Sequence, residues 1–160
     1  MLVLAWGAGL LLATRFFADW EQSRLNPNRE PVSVVQGNHL EVRLVSNGQG
    51  HFVADGLING LPVTFLLDTG ATDVAIPAEQ AERLGLSRGA RVALQTANGP
   101  STGYRTTLDS LTLGDIVLHD VRALIAPGFG AEQVLLGMSA LKQLEFTQRA
   151  GTLVLRQETP

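Results

Sequence analysis

From His39 onward, apolar and polar residues follow a period of two. Leu40, Val42 and Leu44 are separated by Glu41 and Arg43, and Phe52 and Ala54 alternate with Val53 and Asp55. This pattern predicts strands that turn one face toward a core. Asn-Gly pairs punctuate the strands at 47–48, 59–60 and 98–99. A type I′ hairpin turn needs positive φ at both central residues, and Asn-Gly supplies it at little steric cost. A final hairpin is expected in EFTQRAGTLVLR, with Ala150-Gly151 near its turn. Two segments read as helices. PAEQAERLGL (77–86) opens on Pro and stops at Gly85, and MSALKQL (138–144) follows Gly137. Many short strands with two short helices predict a small all-β domain of barrel or sandwich type. No period of solenoid length recurs.

Upstream the pattern changes. The first thirteen residues, MLVLAWGAGLLLA, are apolar or Gly without interruption, and Arg15 and FFADW follow. A membrane span needs about 20 residues. The segment reaches that length at Trp20 if Arg15 extends toward the headgroups and the indole sits at the interface. It lacks both a basic leader and a small-residue cleavage site, and it has no polar face for a buried amphipathic helix. The expectation is a membrane anchor over 1–20. A linker over 21–38 follows, rich in Asn, Gln and Pro, and then a folded domain over 39–157. Arg15, Arg24 and Arg29 mingle with Asp19, Glu21 and Glu30, so charge leaves the orientation of the anchor open.

Composition narrows the function classes. The 160 residues are 45% hydrophobic and 17% charged, which excludes a disordered or polyelectrolyte chain. The net charge is −3 and the twelve Lys and Arg are scattered, so no nucleic-acid partner is expected. With no cysteine, disulfides, thiolate catalysis and Cys-ligated metal are excluded.

Few residues remain for chemistry. His39, His51 and His119 show no i, i+3 or i+4 pairing with one another, so neither a metal nor another cofactor is expected. The nucleophile-elbow pattern G-x-S-x-G is absent, and GFGAEQ (128–133) lacks the Lys of a phosphate loop. One stretch stands out: FLLDTGATDVAIP (65–77) drives Asp68 into the end of an apolar strand. A buried unpaired carboxylate is costly. Either Asp68 closes an Asx-turn, or the site wants an ionisable group in a dry place.

DTGATDVAIP resembles the active-site loop of aspartic proteases. Two further motifs stand in the order that family has them. A Gly-bearing hairpin, LQTANGPSTGY, is similar to the flap, and VLLGMSALKQL (134–144) resembles the apolar-apolar-Gly element and helix beneath the catalytic loop. Asp-Thr-Gly occurs once in a short chain, which matches the single-domain, retropepsin-like branch. The apolar N-terminus and the NPN at 26–28 look closest to its bacterial membrane-anchored members. The fold implied is a small closed all-β barrel with one or two short helices, preceded by a transmembrane segment.

The resemblance implies an aspartic endopeptidase acting on peptides or proteins as a homodimer. Asp68 would be the catalytic residue from each chain. Thr69, Gly70, Ala71 and Gly137 would support the active-site loop. Ala97, Asn98 and Gly99 would form the flap tip over substrate, with Gly103 and Tyr104 on its returning strand. Asp73 is either part of the site or a surface strand residue. The C-terminal TLVLRQ is expected to join a dimer sheet. The location implied is the bacterial inner membrane, single-pass, with a periplasmic protease domain. The alternative function is a catalytically silent module of the same fold that binds peptides or dimerises at a membrane.

Overall fold

The computed structural model describes residue 14 and residues 21–96, 99–127 and 132–158. Residues 21–25 are helical and exposed. Further along lie β1 (Ser33–Gln36), β2 (His39–Val45), β3 (Val53–Ile58), β4 (Leu61–Leu67) and β5 (Val74–Pro77). Helix α1 (Ala78–Arg83) leads to β6 (Arg91–Thr96), β7 (Gly99–Leu113), β8 (Ile116–Ala126) and β9 (Val134–Leu136). Helix α2 (Met138–Leu141) precedes β10 (Glu145–Arg149) and β11 (Thr152–Glu158).

The strands form two sheets. One has seven strands in the order β3-β4-β9-β5-β8-β7-β6, and a further pairing of β3 with β7 closes six of them into a ring. Phe65, Ile76, Leu108, Leu111, Ile125 and Leu136 fill the core without solvent exposure beyond 2%. At about 25 cal/mol per Å² of apolar surface, each such side chain favours folding by roughly 1.5–3 kcal/mol before entropy is counted. The second sheet runs β1-β2-β11-β10. Its inner face adds Val42, Leu44, Leu153 and Leu155 to the same core.

Local chemistry explains the punctuation. Asn59 and Gly60 have φ of 49° and 78°, the two positive values a type I′ turn needs, and Ala150 and Gly151 repeat this at 47° and 75°. At Asn47-Gly48 the chain makes a wider loop instead. The Asn47 carboxamide accepts the amides of Gln49 and His51, and the positive φ falls on Gly50. Helix α1 ends in a Schellman motif: Leu86 N–H donates to Ala81 O, Gly85 N–H donates to Glu82 O, and Gly85 has φ of 66°.

Two outward-looking polar positions are buried. Glu41 alternates with the core residues of β2, yet it is only 1% exposed. Its two carboxylate oxygens accept Arg43 Nε at 2.6 Å and Arg156 Nε at 2.8 Å, which satisfies the charge in place of water. These hydrogen bonds, Arg156's foremost, hold its carboxyl below the ordinary pKa. Asn28 lies in the stretch read as a linker. Its carboxamide donates to Val45 O and Val53 O and accepts Val45 N–H, at 2.7–2.9 Å. It thereby ties Asn28 to the end of β2 and the start of β3. The same stretch contains β1, which pairs along β2.

Two expectations are corrected. β11, the strand of TLVLRQ, is paired on both sides, with β2 and with β10, so it has no free edge for another chain. The anchor expected over 1–20 lies outside the described residues apart from Thr14. Among the described residues no helix is long and apolar enough to cross a membrane. The longest named helix has six residues, against the roughly 20 a span requires. The single-pass inner-membrane location with a periplasmic domain is therefore withdrawn, and the transmembrane helix with it.

Candidate active site

β4 delivers Asp68 to the surface end of the barrel. The strand pairs in parallel with β9 from Phe65↔Val134 to Leu67↔Leu136, and Asp68 N–H extends this ladder by donating to Leu136 O at 3.1 Å. β9 also meets β5 at Ala75↔Leu135. It is thus wedged between the strands that enter and leave the Asp-Thr-Gly loop, and the loop has no room to slide.

Within the loop, Gly70 N–H donates to Asp68 Oδ1 at 2.8 Å, and Ala71 N–H donates to Asp68 O at 3.2 Å. The carboxylate orients its own turn. A Cβ on Gly70 would lie 3.1 Å from Asp68 Oδ1, so any side chain there would crowd the acid. Asp68 and Ala71 are half-buried, whereas Thr69 and Gly70 are exposed. The acid sits at a rim that one chain leaves open.

The loop is braced from below by the β9–α2 junction. Met138 N–H donates to Ala71 O at 2.8 Å and Ser139 N–H to Thr72 O at 3.0 Å. Gly137 fits against this backbone so tightly that a Cβ would lie 2.7 Å from Ala71 O and closer still to Asp73 O. Ser139 is buried, and its hydroxyl accepts Val74 N–H at 2.9 Å while donating to Arg122 O at 2.7 Å. Asp73 is not a bare surface residue: its carboxylate receives Arg122 Nε at 2.6 Å. Loop, helix and β8 are one hydrogen-bonded unit.

β6 and β7 form the hairpin read as the flap, in register from Arg91↔Tyr104 to Thr96↔Gly99. Gly99 has φ of 105°, and Gly103 and Tyr104 lie further along β7. Ala97 and Asn98 lie outside the described residues. Among the described residues, no group of three or more His, Asp or Glu could hold a metal ion.

Sequence reading singled out Asp68, Thr69, Gly70, Ala71 and Gly137, and the fold brings these five together. It missed Ser139 and Arg122. Ser139 stood inside the quoted LLGMSAL, two residues past Gly137, and its bond to Val74 could have been suspected there. Nothing local marks Arg122, whose partner lies 49 positions away.

Residues 54–143, more than half the chain, match the family described as "gag-polyprotein putative aspartyl protease". The chain belongs to the retropepsin-like aspartic proteases. The fold of this retropepsin-like chain agrees with that assignment. It is similar to the crystal structure of a retropepsin-like aspartic protease from Rickettsia conorii, with a TM-score of 0.65 and 26% identity over 81% of this chain and 97% of that one. Two curated relatives are also similar. An uncharacterized protein in the cobV 5′ region of a Sinorhizobium species is 33% identical over 82% of this chain and 58% of its own length. An uncharacterized protein, RP867, of Rickettsia prowazekii (strain Madrid E) is 30% identical over 66% and 46%. The chain spans about half the length of these two relatives.

Proposed function

We propose that the protein is an aspartic endopeptidase whose active site combines Asp68 from two chains. The observation that carries this reading is the open rim at Asp68. The carboxylate is oriented by Gly70 N–H and braced through Gly137 and Ser139, yet it is only half-buried in its own chain. A two-fold axis beside the loop would bring a second Asp68 to face it.

Two carboxylates about 3 Å apart cannot both ionise and hold one proton between them, as is established for aspartic proteases. The ionised partner takes a proton from water as the water oxygen attacks the scissile carbonyl carbon. The protonated partner gives its proton to the carbonyl oxygen, and a gem-diol results. Proton return to the amide nitrogen then lets the C–N bond break. The exposed Thr69 would hold the two loops together through its hydroxyl. The flap hairpin β6–β7, with Ala97, Asn98 and Gly99 at its tip, would cover a peptide that adds as an extended strand.

Peptide-library cleavage by wild type against Asp68→Asn tests the reading. The expected loss is about 10²–10⁴-fold in kcat, the scale of general acid–base catalysis. Equal cleavage by both proteins would overturn it. Peptide binding without any turnover would assign the chain to a silent binding module instead.

A further inference from the structure

β7 is left uncovered over a short stretch on the side away from β8. Its pairing with β6 ends at Tyr104↔Arg91, and its pairing with β3 begins at Leu111↔Ile58. Between these two strands a groove of about 610 Å³ opens, walled by the loop from Gly85 to Gly89 on one side and the Asn59 turn on the other. That volume falls within the roughly 300–1,000 Å³ of small-ligand sites. Backbone bonds bound the groove along β7: Gly89 N–H donates to Arg105 O at one end, and Asn59 N–H donates to Ser110 O at the other. Because Arg105 N–H also donates to Ala90 O, the backbone of Arg105 faces the groove side, and alternation turns the Thr107 N–H the same way. No strand among the described residues covers that amide.

The groove is basic in an acidic chain. Arg88, Arg105 and Arg122 line it against one carboxylate, Asp109, although the whole chain carries a net charge of −3. Thr107 stands opposite Arg122 across β7 and β8. Arg105 and Arg122 therefore share one face as diagonal neighbours, about 7–8 Å apart. Little inside the protein neutralises them. Among the described residues Arg105 has no side-chain hydrogen bond or ion pair. Arg122 gives only its Nε, to Asp73 Oδ1 at 2.6 Å, and keeps its terminal nitrogens for another acceptor. Arg88 reaches Glu82 at 3.4 Å between two exposed side chains, a weak pairing. Its guanidinium lies over the Tyr104 ring, 5.3 Å from the centroid, which holds it at the groove wall.

We propose that this groove binds a small soluble phosphoryl anion. A phosphoryl group offers three strong acceptor oxygens, enough for two guanidinium forks and a backbone amide, and it carries the charge that three arginines call for. The bonds at either end of the groove favour a compact ligand over a chain passing through. Because Arg122 also holds Asp73, the ligand and the loop that carries Asp68 would share one guanidinium. Such binding is independent of the peptidase reading, since it is measured without cleavage.

Isothermal titration calorimetry of the full chain with inorganic pyrophosphate, at constant ionic strength, tests the proposal. One site per chain is expected. Arg105→Gln and Arg122→Gln should each weaken binding about tenfold or more, because each removes a charge-assisted fork. Arg105→Lys should recover only part of that loss. Asp109→Asn should tighten binding about threefold, an effect that damage to the fold would not produce. Arg149→Gln, on the exposed β10, should change nothing. Arg105 has no side-chain partner to lose, so its variants should keep the wild-type melting temperature. Absence of saturation up to about 10 mM pyrophosphate overturns the proposal. So does binding that is indifferent to Arg105→Gln and Arg122→Gln, or that Arg149→Gln weakens as much as they do. A phosphoserine peptide that binds more tightly than pyrophosphate would assign the groove to a protein partner and overturn the small-ligand claim.

Discussion

Gly137 lies against the carbonyl of Ala71 so closely that a Cβ would stand 2.7 Å from that oxygen. The contact joins the floor of the site to the loop that carries Asp68, and neither partner is a side chain that could swing away. Gly137→Ala is therefore expected to destabilise the fold by about 1–3 kcal/mol or more, as overpacking does. The displaced loop should lose activity beyond the fraction unfolded. Urea denaturation alongside peptide cleavage measures both.

Ser139 predicts a different signature. Its hydroxyl is the acceptor for Val74 N–H and the donor to Arg122 O, so Ser139→Ala leaves two buried backbone groups without that partner. A cost of about 1–3 kcal/mol in denaturant stability is expected. Breaking the neighbouring Asp73–Arg122 pair with Arg122→Leu should cost less, about 0–1 kcal/mol, because the arginine is half exposed. A larger loss from Arg122→Leu than from Ser139→Ala would show the brace ranked wrongly.

Asn28 fastens the N-terminal segment through three side-chain hydrogen bonds to β2 and β3. Asn28→Ala should lower stability by about 2–3 kcal/mol or more. Removing residues up to 30 should lower it at least as far, whereas a chain starting at 22 keeps the fastening. Thermal melts of the three proteins check this order.

Glu41 sets an acid limit. Arg156 and Arg43 hold its folded-state pKa below the ordinary 4.5, so the folded protein binds its proton less readily than the unfolded chain. The stability this confers is complete above the ordinary value and is lost as pH falls through the depressed one. Between about pH 5 and pH 3 the wild type should lose urea resistance more steeply than Glu41→Gln, whose residue 41 does not titrate. Parallel slopes would remove Glu41 from the account.

Strands and turns were legible where a rule is local. The alternation at Leu40, Val42 and Leu44, the Asn59-Gly60 turn and the glycine stop of α1 each involve residues within a few positions. The candidate site was legible as a cluster for the same reason, since Asp68, Thr69, Gly70 and Ala71 are consecutive and Gly137 lies in a short apolar motif. What escaped was set by distant partners. Glu41 reads as a solvent-facing strand residue until Arg156, 115 positions on, covers it. Asn28 reads as linker until Val45 and Val53 surround its carboxamide. TLVLRQ reads as a strand awaiting a partner molecule, because no local rule says that β2 and β10 already flank it.

The central claim, that one active site needs Asp68 from two chains, is tested most directly by mixing. A fixed amount of wild type is equilibrated with increasing Asp68→Asn protein, and cleavage is measured per wild-type chain. If each site takes one acid from each chain, the variant captures wild-type partners in dead dimers. Activity then falls to about a tenth at nine-fold excess under random exchange. Activity per wild-type chain that stays constant at every excess would contradict the account.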